Sequence, residues 1–363
     1  MIASIEKKNV LFITTKRLDY IRNTQEFRLL EKHTAYFHIV GSNDNSYFFR
    51  LIRVYIQLLF TPVKAFDTIF IGFAPQLILP FFAWKLGDKY RIIDFFISIY
   101  DTFCCDRRVF RPKGLIGRLL HWLDSFTIKH ADTIICDTKC HGDYFVDEFH
   151  ADRDKLYLLY LEADPAIYHP MTVPKPDIAK GKHTVLFFGS MLPLQGYELV
   201  LEAFYTLKDY SDYFFYFIGP LADSLKNKVK DMPNLYLYDW LGQEELARYI
   251  AFSDLRIAGH FNAEIEKASR TIPGKAYIYH AMKKPMILGD TPANHERFTA
   301  DRNIILIPTG DSLSITNAIL RFFGDPSLQP EYSLPDAIGI TPYTSPVLQA
   351  GQLFAASIPD SEA

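Results

Sequence analysis

Cysteine is scarce in this 363-residue chain: Cys104, Cys105, Cys136 and Cys140 are all there are. They form no disulfide framework, and no second close pair of Cys or His ligands completes a metal pattern, so a reducing, cytoplasmic setting is expected. Long apolar runs are missing too. The uncharged, strongly apolar stretch Thr68 to Trp84 has 17 residues and is broken by Gly72, Pro75 and Pro80. A spanning helix needs about 20 apolar residues, so this stretch reads as strand, turn and buried helix. The opening Met1–Lys8 has no apolar core of the kind a cleaved signal carries, and export is not expected. Net charge is also small, at -3.

What is present is a globular composition: 49% hydrophobic and 22% charged residues, with 18 Gly and 21 Pro, excludes disordered and collagen-like chains. Aromatics, at 15%, are abundant enough for thick cores and adhesive surfaces. The charge is unevenly placed. Residues 1–130 hold 19 Lys/Arg against 11 Asp/Glu, and residues 131–363 hold 20 against 31. A basic, aromatic-rich front suits anionic membrane, nucleic acid or a phosphorylated substrate; nucleic acid is least favoured, because no recognised binding motif accompanies the charge.

Short apolar runs alternate with helical patterns throughout, which predicts an α/β protein with parallel sheets. Strands are expected at Val10–Thr14, Thr68–Gly72, Arg91–Phe95 and Thr133–Cys136, then at Thr184–Phe188, Phe214–Ile218, Leu235–Tyr238, Leu255–Ala258, Met286–Leu288 and Ile304–Ile307. The turn-rich polar stretch with Pro165, Pro170, Pro174 and Pro176 separates the two series as a linker. Two doubly wound domains result, covering residues 1–172 and 184–325 about a linker at 173–183. A tail at 326–363 includes a possible helix, Val347–Ser357, that packs back on the first domain. Ligands are expected in a cleft between strand carboxyl ends.

The clearest constellation is Val185-Leu-Phe-Phe-Gly-Ser-Met-Leu-Pro-Leu-Gln-Gly-Tyr-Glu-Leu-Val-Leu-Glu-Ala203. It reads as a strand, a loop with Gly189 and Gly196, and an amphipathic helix whose N-terminus can meet phosphate. Downstream come Phe217-Ile-Gly-Pro220, Tyr238-Asp-Trp-Leu241, Asp254-Leu-Arg-Ile-Ala-Gly-His260, Lys267-Ala-Ser-Arg-Thr-Ile-Pro-Gly-Lys-Ala-Tyr277 and Thr291-Pro-Ala-Asn-His-Glu296. In this order the series resembles the donor-binding half of GT-B glycosyltransferases, most like glycosyltransferase family 4. In the front half, Asp94-Phe-Phe-Ile-Ser-Ile-Tyr-Asp-Thr-Phe-Cys-Cys-Asp-Arg107 and Ala131-Asp-Thr-Ile-Ile-Cys-Asp-Thr138 resemble the acceptor domain of a bacterial polysaccharide-biosynthesis subgroup.

The resemblance implies a GT-B architecture of two Rossmann-like domains facing across a cleft. It implies transfer of a sugar from a nucleotide-sugar to a glycan or lipid-linked saccharide, with retention, without metal or cofactor, in capsule, exopolysaccharide or wall glycan synthesis. Carried over by position, Gly189, Ser190, Gln195, Gly219, Trp240, Leu241, His260, Arg270, Pro273, Tyr277 and Glu296 line the donor side. Lys275 and Lys267 neutralise the diphosphate, whose charge grows as the glycosidic bond breaks. Asp94, Ser98, Tyr100, Asp106 and Arg107 form the acceptor side, where Asp101 holds or activates the acceptor hydroxyl. The chain departs from the family at Ser190 and Gln195, where Arg and Lys are common, and at Arg270 and Ile278, where paired glutamates are common. Pro193-Leu-Gln-Gly196 with Ile272-Pro-Gly-Lys275 is similar to a subgroup pattern.

Some residues keep two readings. His260, at a strand's carboxyl end, suits donor contact or a satisfied structural role, and His141 is a weaker candidate. The segments Arg50–Phe60 and Arg107–Trp122 place cations beside apolar helical faces, which fit either an anionic membrane or the protein core. The expected location is therefore cytoplasmic, with peripheral contact on the inner membrane face as one option. Two alternatives to a transferase stand: a GT-B nucleotide-sugar epimerase, and a non-catalytic partner binding glycan or nucleotide.

Overall fold

The computed structural model describes residues 1–324; the expected tail and its helix at 347–357 lie outside the described residues. Contacts divide the chain into two compact units, Met1–Leu161 and the residues from Glu162 onward. Each is built on one six-stranded sheet in which every pairing is parallel.

In the first unit the strands are β1 (Asn9–Ile13), β2 (Tyr36–Val40), β3 (Thr68–Ile71), β4 (Tyr90–Asp94), β5 (Thr133–Cys136) and β6 (Leu156–Leu158), in the order β2-β1-β3-β4-β5-β6. Side chains alternate across a strand, so each interior strand feeds two cores. Leu11, Ile13, Ile69, Ile71 and Ile93 pack into the core on one face, while Val10, Phe12, Phe70 and Ile92 pack on the other. That other face is covered by the short α1 (Ile2–Ile5) and by α2 (Ile21–His33); the first is covered by α3 (Tyr47–Phe60), α4 (Leu79–Leu86), α5 (Leu115–Lys129) and α6 (Lys139–Phe149). The uncharged stretch from Thr68 resolves into β3, a 3-10 turn at Pro75–Leu77, and α4. No helix among the described residues is long and apolar enough to cross a membrane.

The second unit contains β7 (His183–Phe188), α7 (Tyr197–Thr206), β8 (Tyr213–Ile218), α8 (Asp223–Val229), β9 (Leu235–Tyr238), α9 (Gln243–Phe252) and β10 (Leu255–Gly259). It continues through α10 (Lys267–Arg270), α11 (Gly274–Ala281), β11 (Met286–Gly289), α12 (Pro292–His295), β12 (Ile304–Ile307) and α13 (Ser312–Gly324). Its order, β12-β11-β10-β7-β8-β9, runs outward from β7 in one direction and then resumes at β10 on the other side. The reversal lies between β7 and β10, and a doubly wound sheet opens its ligand crevice there, at the strand carboxyl ends.

All ten strands expected from the sequence are present, shifted by a residue or so at their ends. β2 and β6 are additional. Both are edge strands, only partly buried, so neither shows the continuous apolar run that marks a central parallel strand.

Candidate functional site

The chain leaves β7 through Gly189 and leaves β10 through Gly259 and His260, on either side of the strand reversal. Gly259 sits at φ +99° and His260 at +60°, so the turn after β10 is left-handed at both positions. The loop after β7 is pinned to that turn: Phe261 N donates to Gln195 O at 3.3 Å, and Asn262 Nδ2 donates to Pro193 O at 3.2 Å.

Lys275 enters this space from the first turn of α11. It is only 3% exposed, its Nζ donates to Gln195 Oε1 at 2.8 Å, and the ammonium lies 3.8 Å from the centre of the Phe187 ring. No carboxylate forms an ion pair with it among the described residues. Burial alone pushes its pKa well below the usual lysine range, since the charged form has lost its water and gained no counter-charge. Glycine leaves space beside it. A Cβ on Gly189 would overlap Gln195 Oε1 and lie 3.1 Å from Lys275 Nζ, and a Cβ on Gly259 would lie 3.4 Å from the same nitrogen.

The other expected donor residues lie on the same unit. Ser190 follows Gly189, and its buried Oγ has no hydrogen-bond partner among the described residues. Gly219 follows β8 and abuts Gly189; a Cβ there would overlap the Gly189 carbonyl. His260 Nδ1 lies 3.0 Å from Thr271 O, which makes that nitrogen the protonated donor and ties the β10 turn to the end of α10. Lys267 is buried on α10, and Thr271 Oγ1 donates to its carbonyl at 2.9 Å. Arg270 lies 3.9 Å from Glu266. Pro273 caps α11 and Tyr277 is buried within it against Phe298. Leu241 is buried while Trp240 is largely exposed, and Glu296 is half-buried at the end of α12.

The expected acceptor residues follow β4 in the first unit. Asp94 ends that strand fully buried, with its two oxygens on Arg22 at 2.6 and 3.1 Å, so its carboxylate is committed to an internal pair. Glu26 lies fully buried in the same electrostatic cluster, and its pKa is raised by burial and then by the Asp94 charge. Asp101 and Asp106, both buried, bound one turn of π-helix, and Arg107 caps it from an exposed position over Phe103. Tyr100 packs edge-on to His121, and burial pushes its phenol up to about 12.

Sequence reasoning missed what holds this loop. Asp124 on α5, fully buried, accepts from Ser98 Oγ at 2.6 Å, Tyr100 N at 2.9 Å and Ile99 N at 3.3 Å; Ser98 Oγ in turn accepts from Asp101 N at 2.9 Å. Burial raises the Asp124 carboxyl to about 7 against the pull of these donors. Its sequence signal is a lone carboxylate in the basic stretch 107–129. Arg22 and Glu26 were missed as well. His141 is fully buried and paired with Asp137 at 2.6 Å, at the base of α6. Among the described residues, no three His, Cys, Asp or Glu side chains gather as a metal site.

Residues 182–325 match the model of the family described as Glycosyl transferases group 1, which spans the second unit's sheet. No curated protein matches the sequence. Among solved structures, sucrose-phosphate synthase from Thermosynechococcus elongatus superposes with a TM-score of 0.64 at 11% identity, covering 89% of this chain and 91% of that one. HepE from Anabaena, in complex with UDP-glucose, gives 0.61 at 12% identity over 89% and 91%. A putative UDP-N-acetylglucosamine 2-epimerase from Listeria monocytogenes gives 0.55 at 13% identity over 88% and 89%. The two parallel six-stranded units are those of the GT-B fold, and the family match supports a role in glycosyl transfer.

Proposed function

We propose that the chain transfers a sugar from a nucleotide-sugar to a glycan or lipid-linked saccharide of capsule, exopolysaccharide or wall glycan, with retention and without a metal. The observation that carries this reading is Lys275: a fully buried ammonium with no carboxylate, at the strand reversal of the unit that matches the transferase family. A buried cation is costly unless an anion neutralises it, and a nucleoside diphosphate supplies that anion. The unpartnered Ser190 Oγ and the glycines that admit backbone close to Nζ suit the same ligand. UDP-glucose bound to the structurally similar HepE makes a uridine donor the first to test.

In this reading the diphosphate displaces Gln195 from Lys275, and Lys275 with Lys267 carries the charge that develops on the leaving group. Asp101, held through Ser98 by Asp124, orients the acceptor hydroxyl, and its proton passes to the departing phosphate. No strong protein base is then required. The metal-free part of the proposal predicts turnover unaffected by EDTA.

The test is a thermal-shift panel of UDP, GDP, dTDP, CMP and their sugars, followed by transfer assays with glycan acceptors. A selective shift followed by glycosylated product is expected. No binding and no transfer with any donor overturns the reading, and epimerised sugar released without acceptor replaces it with epimerase chemistry. Transfer with inverted configuration corrects its stereochemistry.

A further inference from the structure

We propose that the outer face of α3, α4 and α5 is a docking surface for an anionic lipid bilayer. These helices lie side by side on one face of the first sheet. The Tyr55 ring of α3 sits 4.9 Å from Phe82 of α4, Lys85 Nζ of α4 donates to the Leu59 carbonyl of α3 at 2.7 Å, and α4 packs on α5. Their inward side chains, among them Val54, Leu58, Phe82 and Ile128, fill the core. Their outward side chains are apolar as well, where a water-facing helix carries polar ones. Phe60 is 82% exposed, Trp84 74% and Leu115 85%, and Phe48, Ile56 and Trp122 are each at least half exposed.

The charge on the same segments is of one sign. Residues 47–60, 79–86 and 107–129 contain nine Lys or Arg, of which Arg50 is buried, and a single carboxylate, Asp124, which is fully buried under the loop at 98–101. Arg107, Arg111, Lys113 and Arg118 are exposed around Leu115. A surface that pairs protruding leucine, isoleucine and tryptophan with arginine and lysine, and whose neighbouring acids Asp44 and Glu148 are taken up by Arg53 and His121, matches a bilayer with anionic headgroups: the apolar groups enter the acyl boundary while the cations stay at phosphate depth. Nucleic acid would use the cations and the aromatic rings but offers nothing to Leu115 or Ile56. The inference does not depend on the transferase reading.

The full chain is tested by flotation with phosphatidylcholine vesicles and with vesicles containing 30 mol% phosphatidylglycerol. Binding is expected only to the anionic vesicles, at least tenfold weaker in 0.5 M salt and in the charge-reversed variant Arg111→Glu/Lys113→Glu/Arg118→Glu, whose substitutions are exposed and leave the core intact. The three tryptophans report position: brominated lipid should quench Trp84 and Trp122, whereas Trp84→Phe/Trp122→Phe should leave Trp240 unquenched. Failure to float overturns the proposal, as does binding indifferent to anionic lipid. Two further outcomes also overturn it. Self-association that shields Trp84 and Trp122 from iodide assigns the face to a second copy, and shielding in the monomer assigns it to residues 325–363.

Discussion

Replacing Lys275 by Met separates the two demands made on that residue. Met keeps most of the buried volume and removes an amine that sits 3% exposed with one hydrogen bond and no counter-ion among the described residues. Losing the bond to Gln195 costs about 1 kcal/mol, and removing the desolvated ammonium returns a comparable or larger amount, so the variant should melt at or above the wild type at pH 6. The sign of the pH dependence follows from the lowered pKa. Between the native value and the ordinary 10.5, the unfolded chain holds this proton more often than the native one. Wild-type stability therefore rises with pH across that window, by up to about 1.4 kcal/mol per unit, and Lys275→Met lacks this contribution. The variant's advantage should be largest at low pH and vanish toward pH 10.5.

Donor binding should move the opposite way. A charge-assisted hydrogen bond to phosphate is worth about 1.5–3 kcal/mol, so Lys275→Met should weaken nucleoside diphosphate binding roughly 10- to 150-fold. Because the anion favours the charged amine, wild-type binding takes up a proton above Lys275's native pKa. The ratio of variant to wild-type Kd should then fall by up to about tenfold per pH unit there, a ratio from which the diphosphate's own titration cancels. Calorimetry in two buffers of different ionisation enthalpy, beside urea melts at several pH values, measures both effects. A variant that loses more than about 2 kcal/mol of stability uniformly across pH, while binding nucleotide as the wild type does, would refute the argument that this lysine waits for an anion.

How far the sequence reached depends on the range of the forces involved. Interior strands such as Thr133–Cys136 are continuous apolar runs between helical patterns, and local pattern suffices to find them. The edge strands Tyr36–Val40 and Leu156–Leu158 are half-solvated and lack that run. At the donor loop, glycine placement and the lysine after Pro273 were visible because backbone approach and phosphate chemistry constrain residue type locally. What was hidden is pairing over long separations. Lys275 meets Gln195 across 80 positions and Arg22 meets Asp94 across 72, so neither the bare ammonium nor the internal commitment of Asp94 has a local signature. Asp124 reaches the loop at 98–101 across 24 to 26 positions, and only its isolation among cations hinted at burial. His141 was weighed as a site residue, yet its partner Asp137 is one helical turn away, a pairing open to i,i+4 reasoning.

Three further perturbations test the remaining parts. Gly189→Ala should keep the fold but set a methyl 3.1 Å from Lys275 Nζ, in the space a diphosphate needs, lowering nucleotide affinity at least about tenfold in a thermal-shift titration; unchanged affinity would place the ligand elsewhere. Asp124, raised from 3.8 to about 7, keeps its proton in the native chain while the unfolded chain has lost it. Stability from this group is therefore present near pH 4 and declines as pH rises to 7, and Asp124→Asn should flatten that decline by up to about 4 kcal/mol in urea melts. The Arg22–Asp94 pair is fully buried and doubly bonded. Arg22→Met strands a carboxylate in the core next to Glu26 and should cost about 3–5 kcal/mol. Arg22→Met/Asp94→Leu removes both charges together, and should recover most of that loss if the cost lies in the uncompensated charge. If the double variant is as unstable as the single, the pair's geometry matters more than its electrostatics, because Arg22 also closes the sheet by donating to the Leu159 carbonyl at 2.8 Å, a bond that neither substitution restores.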